Sequence, residues 1–324
     1  LGSTPDRSWL EGVGDRPCVL WSRDIHVAVV NDAVLSQLDV SPIDGGCFHR
    51  DDRGQLSGRL KEAAAWHRLN PLVPEPTASE DRFFVEQTVP QLHARGILGV
   101  GAMEYFRHVE SVLAPHVEGI DLSITLLDRS EELNIHSLRS ALAKHANLVL
   151  SGMKSFADGT LGARTAWMHT PWTDGSPQGW PLDHAAEGTL SSWACSVRDE
   201  GLDPAVHAIG SAAVDAVLTA FESAGIESGR VEHAQFVRDD DLHRFKGHWC
   251  SMQPAHQVDD VREIATCADP RLAFRYRSLA EAGGRLAFSS DWPVVEADPL
   301  RAMLESVCPD HSESIDVISS LEAV

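Results

Sequence analysis

Two histidines, His207 and His233, stand at the ends of short apolar segments bounded by Gly or Pro, LDPAVHAIG from Leu202 and GRVEHAQ up to Gln235. A neutral imidazole nitrogen binds zinc at about 2.0–2.1 Å; a strand histidine can also be a hydrogen-bonded core residue. Both readings stand for each ring taken alone. Lys154 lies inside the apolar segment Val149–Phe156. A lysine there is costly unless it is neutralised or paired. It either forms a carbamate with carbon dioxide, which makes it a metal-binding anion, or pairs with Asp158 or reaches solvent. Asp291 ends the segment GRLAFSSD, before Trp292 and Pro293. A carboxylate there binds a metal and accepts a proton, or it caps an Asx-type turn. His256, in QPAH after Met252, either polarises a substrate carbonyl or caps a loop. Glu232 adjoins His233 and is expected to face the other way, as strand neighbours do, and to serve packing or an ion pair. As a set, Lys154, His207, His233 and Asp291 end successive segments in chain order. That order suits a hydrolytic metal site, where an ion lowers the pKa of bound water to about 7.

Such a set needs strands that deliver their ends to one place. Between the two histidines, Ser211 to Ala224 carries Ala213, Val214, Val217, Leu218 and Phe221 at helical spacing. This predicts a strand–helix–strand unit with a histidine at each strand's carboxyl end, where ligands gather in parallel α/β folds. Further strands are predicted at Ile97–Ala102, Leu122–Leu127, Val149–Phe156, Pro204–Ile209, Arg230–Ala234, His248–Met252 and Arg285–Phe288, with helices between most of them. The repetition argues for α/β architecture and a parallel sheet. A (β/α)8 TIM barrel needs one strand more, which would precede Ile97. An open doubly wound sheet is the rival. No Gly-x-Gly-x-x-Gly or phosphate loop supports it, and polar residues end many strands rather than one switch point.

Residues 1–95 read as an irregular and helical region flanking the pocket, and 96–324 as the barrel core, strands 2 to 8. Within the first region, Pro17 to Trp21 predicts a strand, Gly45 and Gly46 a turn, and Leu60 to Leu69 a helix. Pro71, Pro74 and Pro76 then break the chain, and Thr77 caps a helix to about Arg95. The 27 basic and 48 acidic residues give a formal charge of −21, which argues against nucleic acid and anionic membranes as partners. No apolar run is long enough to span a bilayer. The six cysteines, Cys18, Cys47, Cys195, Cys250, Cys267 and Cys308, contain no Cys-x-x-Cys pair and read as reduced thiols. No signal peptide is evident, so the cytoplasm is expected. The chain starts at Leu1, not Met, and stops at Val324 within what reads as a helix start; trimming or omission of residues is expected at its ends.

The segments Gly152–Arg164 (GMKSFADGTLGAR), Val206–Gly210 (VHAIG), Arg230–Gln235 (RVEHAQ), Ser251–His256 (SMQPAH) and Ser289–Pro293 (SSDWP) resemble the amidohydrolase superfamily, in its YtcJ-like branch of metal-dependent hydrolases. Ser22–His26 and Asn31 resemble an upstream family segment. The resemblance implies a (β/α)8 barrel with one or two divalent metal ions, zinc above all. It implies that Lys154 is carboxylated and bridges the metals, that His207 and His233 hold one ion, and that Asp291 binds the other and acts as general base. It places His256, Arg164 and His26 near the substrate. The chain departs from the family in having no His-x-His pair at a first barrel strand and no β-sandwich built from its ends, which truncation would explain. Ser211 replaces a usual Asp, and Ile25 a usual Gly. The expected activity is hydrolysis of an amide-type C–N bond in a small-molecule substrate, with a homodimer as the assembly to test. The alternatives are a deaminase or esterase of the same superfamily, or a catalytically inactive barrel serving as a binding or scaffold protein.

Overall fold

Short β-rich segments at the start of the chain pair into an antiparallel sheet. In the computed structural model, which describes residues 4–129, 133–308 and 311–324, β1 (Val19–Trp21), β2 (Val27–Val30), β3 (Gly46–Arg50) and β4 (Leu56–Glu62) form it in the order β1-β2-β4-β3. Ala28, Val30 and Leu60 of this sheet pack with Ala64, Ala65 and Leu69 of the following π-helical segment, Ala64–Leu69, in a small core. This corrects the expectation of an irregular and helical region and of a helix from Leu60. Leu60, Ala64 and Leu69 do share a face, but Leu60 reaches it from a strand. Arg59 and Lys61 alternate with buried Leu60, but Glu62 puts a charge on the buried face and hides the strand pattern. The helix Ala78–Ala94 starts as expected at Thr77. Thr77 and Glu80 form a reciprocal capping box, and Val85, Val89 and Leu92 pack on the main core.

From here strands and helices alternate, because short apolar runs bounded by turns are followed by amphipathic stretches. β5 (Gly99–Glu104), β6 (Asp121–Leu127), β7 (Leu148–Phe156), β8 (Asp203–Ala208), β9 (Arg230–His233), β10 (Trp249–Met252) and β11 (Arg285–Phe288) make one parallel sheet in sequential order. All seven expected strands are present, each within two residues of the bounds read from sequence. The sheet curls: the Lys154 Nζ of β7 donates to the Met103 sulfur of β5 at 3.2 Å. Asp291, just past β11, lies close enough to Lys154 to shift its protonation. Among the described residues the edge strands β5 and β11 do not pair with each other.

Helices cover the outer face of this curl. The helix Ser211–Ala224 buries Ala213, Val214, Val217, Leu218 and Phe221, the stripe expected from its spacing, and ends on Gly225 at φ 64°. Together with Trp193 and Val197 of the helix Leu190–Asp199, and Ile124 and Leu126 of β6, it builds a continuous core. Each fully buried Leu or Phe contributes roughly 1.5–3 kcal/mol to holding helix on sheet. The inner face and the strand ends are thereby left to polar side chains.

Candidate active site

In-register partners of a parallel sheet share a face. Lys154 pairs with Ala205, Phe156 with His207, and His207 with Glu232. The inner face of the curl therefore carries Lys154, Phe156, His207 and Glu232. Glu232 was expected to face away from the site. It lies instead on the Lys154 side, buried, bonded to Arg230 and held below the usual carboxylate range against the effect of burial, by Arg230 and Lys154. By alternation His233, one residue on, should face the helices. It does not, because the strand breaks at that residue. His233 has φ 70° and Ala234 has φ 41°, a left-handed turn that swings the ring to 4.6 Å from the His207 ring, centroid to centroid. Asp291 likewise has φ 52°. Non-glycine residues in this region cost of order 1–3 kcal/mol each, and such strain gathers at functional sites.

Each ring is held by its neighbours. His207 Nε2 donates to the Gly159 carbonyl at 3.0 Å. Asp158 stands 3.5 Å from the same nitrogen and accepts the backbone N–H groups of Trp167, Ile209 and Gly210 at 2.7–3.0 Å. Burial nonetheless pushes the Asp158 carboxyl up to about 8. Asp158 thus ties the turn after β7 to the end of β8, and it is not the partner of Lys154. Gly210 is needed here, since a Cβ would meet the Trp167 backbone oxygen at 2.2 Å. His233 Nδ1 bonds the Gln253 side-chain oxygen at 2.7 Å, and the Gln253 amide donates to the Ser251 carbonyl and Ser289 Oγ at 3.0 and 2.9 Å.

Burial holds both rings neutral, with His207 well below its usual range and His233 brought to about 4. Burial also lowers Lys154, partly offset by Glu232 and Asp291. The lysine is buried, with its Nζ near the Phe156 ring at 4.9 Å, so neither the Asp158 pair nor a solvent-facing ammonium describes it. Burial alone would raise the Asp291 pKa, but His233, Lys154 and His256 bring it below the usual carboxylate range, so at neutral pH the carboxylate is ionised while the His233 ring is uncharged.

His233, His256 and Asp291 each offer a ligand atom, all within 4.8 Å of one another. His256 Nε2 is buried without a hydrogen-bond partner among the described residues, and burial lowers its pKa. Two neutral imidazoles and an ionised carboxylate form a donor set suited to a divalent metal, and the orphaned His256 nitrogen is the polar atom such an ion would satisfy. His256, read from sequence as a substrate contact, thus joins this group. Lys154 and His207 line its inner side.

His26 reaches the site from the turn between β1 and β2, its ring 5.4 Å from His207. Its Nδ1 bonds Glu62 at 2.7 Å, and Thr165 bonds the other Glu62 oxygen. Glu62 raises the His26 pKa against the opposing effect of burial. Ile25, which precedes it, has φ 62°, the backbone state that favours the glycine expected there. Arg164 is not brought to the cluster; its guanidinium goes to Asp174, Glu263 and the Leu161 carbonyl at 2.5–2.8 Å. Sequence reading missed Glu62, Gln253 and the clamping role of Asp158. The only signal for Gln253 was its place three residues before His256.

The model of the amidohydrolase family matches residues 3–307. LONG AFTER FAR-RED 3 of Arabidopsis thaliana is 28% identical over 342 residues, covering 94% of this chain. YtcJ of Bacillus subtilis is 27% identical over 320 residues, covering 90%. The chain spans 58% of the length of each of these curated relatives. Among solved structures, a metal-dependent hydrolase from Pyrococcus furiosus superposes with TM-score 0.71 at 27% identity, over 100% of this chain and 69% of its own. One from Pyrococcus horikoshii gives 0.70 at 25%, over 100% and 67%.

Proposed function

Because the chain belongs to the amidohydrolase family, we propose that it hydrolyses an amide-type C–N bond of a small molecule at a divalent-metal centre, zinc being the first choice. One observation carries this reading: His233, His256 and Asp291 converge within 4.8 Å beside a buried lysine and a third neutral histidine. Both Pyrococcus relatives of like fold are metal-dependent hydrolases by name. An ion held by His233, His256 and Asp291 would acidify a water and polarise the scissile carbonyl.

The chain's own residues do the rest. Asp291, its pKa held below the usual carboxylate range, takes the proton of the attacking water and passes it to the leaving nitrogen. His233 and His256, kept neutral by burial, hold their nitrogen lone pairs ready. Gln253 orients the His233 ring through Nδ1. His26, anchored by Glu62 and 5.4 Å from the His207 ring, would contact the substrate. Lys154, buried and with its pKa lowered by that burial, is the residue that could carry a carbamate; as a carbamate it would add an anionic ligand for one or two ions. An eight-stranded (β/α)8 barrel is the parent architecture in this reading, with residues 96–324 as its core and 1–95 flanking the pocket. The unpaired cysteines suit the cytoplasm.

The test joins metal analysis with Asp291→Asn. The protein is expected to bind a divalent ion stoichiometrically, and the variant to lose about 10²–10⁴-fold in kcat on an amide substrate. Unchanged turnover in the variant rejects the scheme.

A further inference from the structure

Arg129 lies two residues past β6, at the same end of the sheet as the histidines. Its guanidinium carbon is 3.9 Å from the Trp66 ring centroid and 3.7 Å from that of Phe156. Those two rings also flank the site. Trp66 is 4.9 Å from the His26 ring, and Phe156 is 5.2 Å from His207 and 4.9 Å from Lys154 Nζ. Arg129 Nε donates to Asp183 at 2.7 Å. The residue is 7% exposed, and its Nη2 is buried with no hydrogen-bond partner among the described residues. A buried, charged donor left unpaired is expensive, and orphaned groups of this kind call for a partner from outside the chain.

The surroundings indicate which partner. Arg129 bears on the protonation of His26, His67 and Lys154, in each case against their charged forms. Asp183 accepts from Nε with one oxygen, which fixes the guanidinium plane. A planar donor edge beside two aromatic faces matches a planar anion, since carboxylates accept parallel N–H bonds from one guanidinium.

We propose that Arg129 is a specificity-determining residue that binds a carboxylate of the substrate through the guanidinium edge that Asp183 leaves free. The inference rests on the hydrolase reading for the word substrate, but it is tested by binding alone, so the two can fail separately.

Calorimetric titration of the protein with benzoate and with its neutral isostere benzamide, at fixed ionic strength, reads the subsite directly. Benzoate is expected to bind at least tenfold tighter than benzamide. Arg129→Met should erase that difference. Arg129→Lys keeps the charge but loses the fork, so it should weaken benzoate about tenfold while leaving benzamide unchanged; its circular dichroism spectrum checks folding if the Met variant is unstable. Equal binding of the two ligands, no binding of benzoate, or full retention of benzoate affinity in Arg129→Lys overturns the proposal. Amide hydrolysis need not be measured, so an inactive protein that still selects benzoate would refute the hydrolase reading and leave the anion subsite standing.

Discussion

At the scale of single residues, the site is assembled by side chains whose protonation burial controls. His207 and His233 are neutral in the fold, His233 with a pKa near 4 against an ordinary 6.5. Below pH 6.5 the unfolded chain takes up protons that the folded rings refuse, so stability falls as pH drops from about 6.5 toward 4. The slope is at most about 1.4 kcal/mol per pH unit for each ring. His26 works in the opposite direction: its pKa is raised by Glu62, so its contribution is complete below 6.5 and is lost as pH rises through the folded value. Urea titrations from pH 4 to 8 should show the histidine slope, and His207→Gln should reduce it; a flat profile would contradict neutral buried rings. Ile25 at φ 62° tests backbone strain in the same turn. A β-branched residue there costs roughly 1–2 kcal/mol, less what glycine loses on folding. Ile25→Gly is therefore expected to raise stability by about 0.5–1 kcal/mol in equilibrium unfolding.

Elements convert those residues into a constellation. β8 and β9 are legible as strands because buried parallel strands are short apolar runs, and the helix between them is legible from its 3.6-residue stripe. That helix rests on the sheet through fully buried Phe221, against whose ring Gly229 is packed so closely that a Cβ would meet it at 2.4 Å. Phe221→Ala should cost about 3–5 kcal/mol, read as a lowered denaturation midpoint, and should loosen both histidine-bearing strands together. Of the antiparallel sheet only β1 was legible, inside the strand expected at Pro17 to Trp21. β2 is four residues long and β4 carries a charge on its buried face, so local pattern gave too little signal for the rest. The direction of His233 was not legible either. Strand alternation predicts that Glu232 and His233 face opposite sides, and only the left-handed turn at His233 reverses this.

For the molecule as a whole, the consequence is a curl that gathers its polar inner face at one end. The central strands are the best protected. β8 is buried at every position but its first, whereas β5 and β11 are partly open along their length and unpaired with each other. Native-state hydrogen exchange should find β8 and β9 amides the slowest and β5 and β11 amides the fastest of the parallel strands; slow exchange at both edges would show that they are covered. No helix among the described residues is long and apolar enough to cross a membrane, in keeping with the chain's charge of −21.

By itself the sequence determined the order of strands and helices, and which polar residues stand at strand ends, because periodicity and breakers are local properties of the chain. Which of those residues meet was decided by tertiary structure alone. His256 joined His233 and Asp291, Arg164 turned to Asp174 and Glu263, and Arg129 came to lie between the aromatic rings and Asp183. Those outcomes depend on sheet curvature, on left-handed backbone turns and on contacts across as many as 99 positions, none of which is written in neighbouring letters.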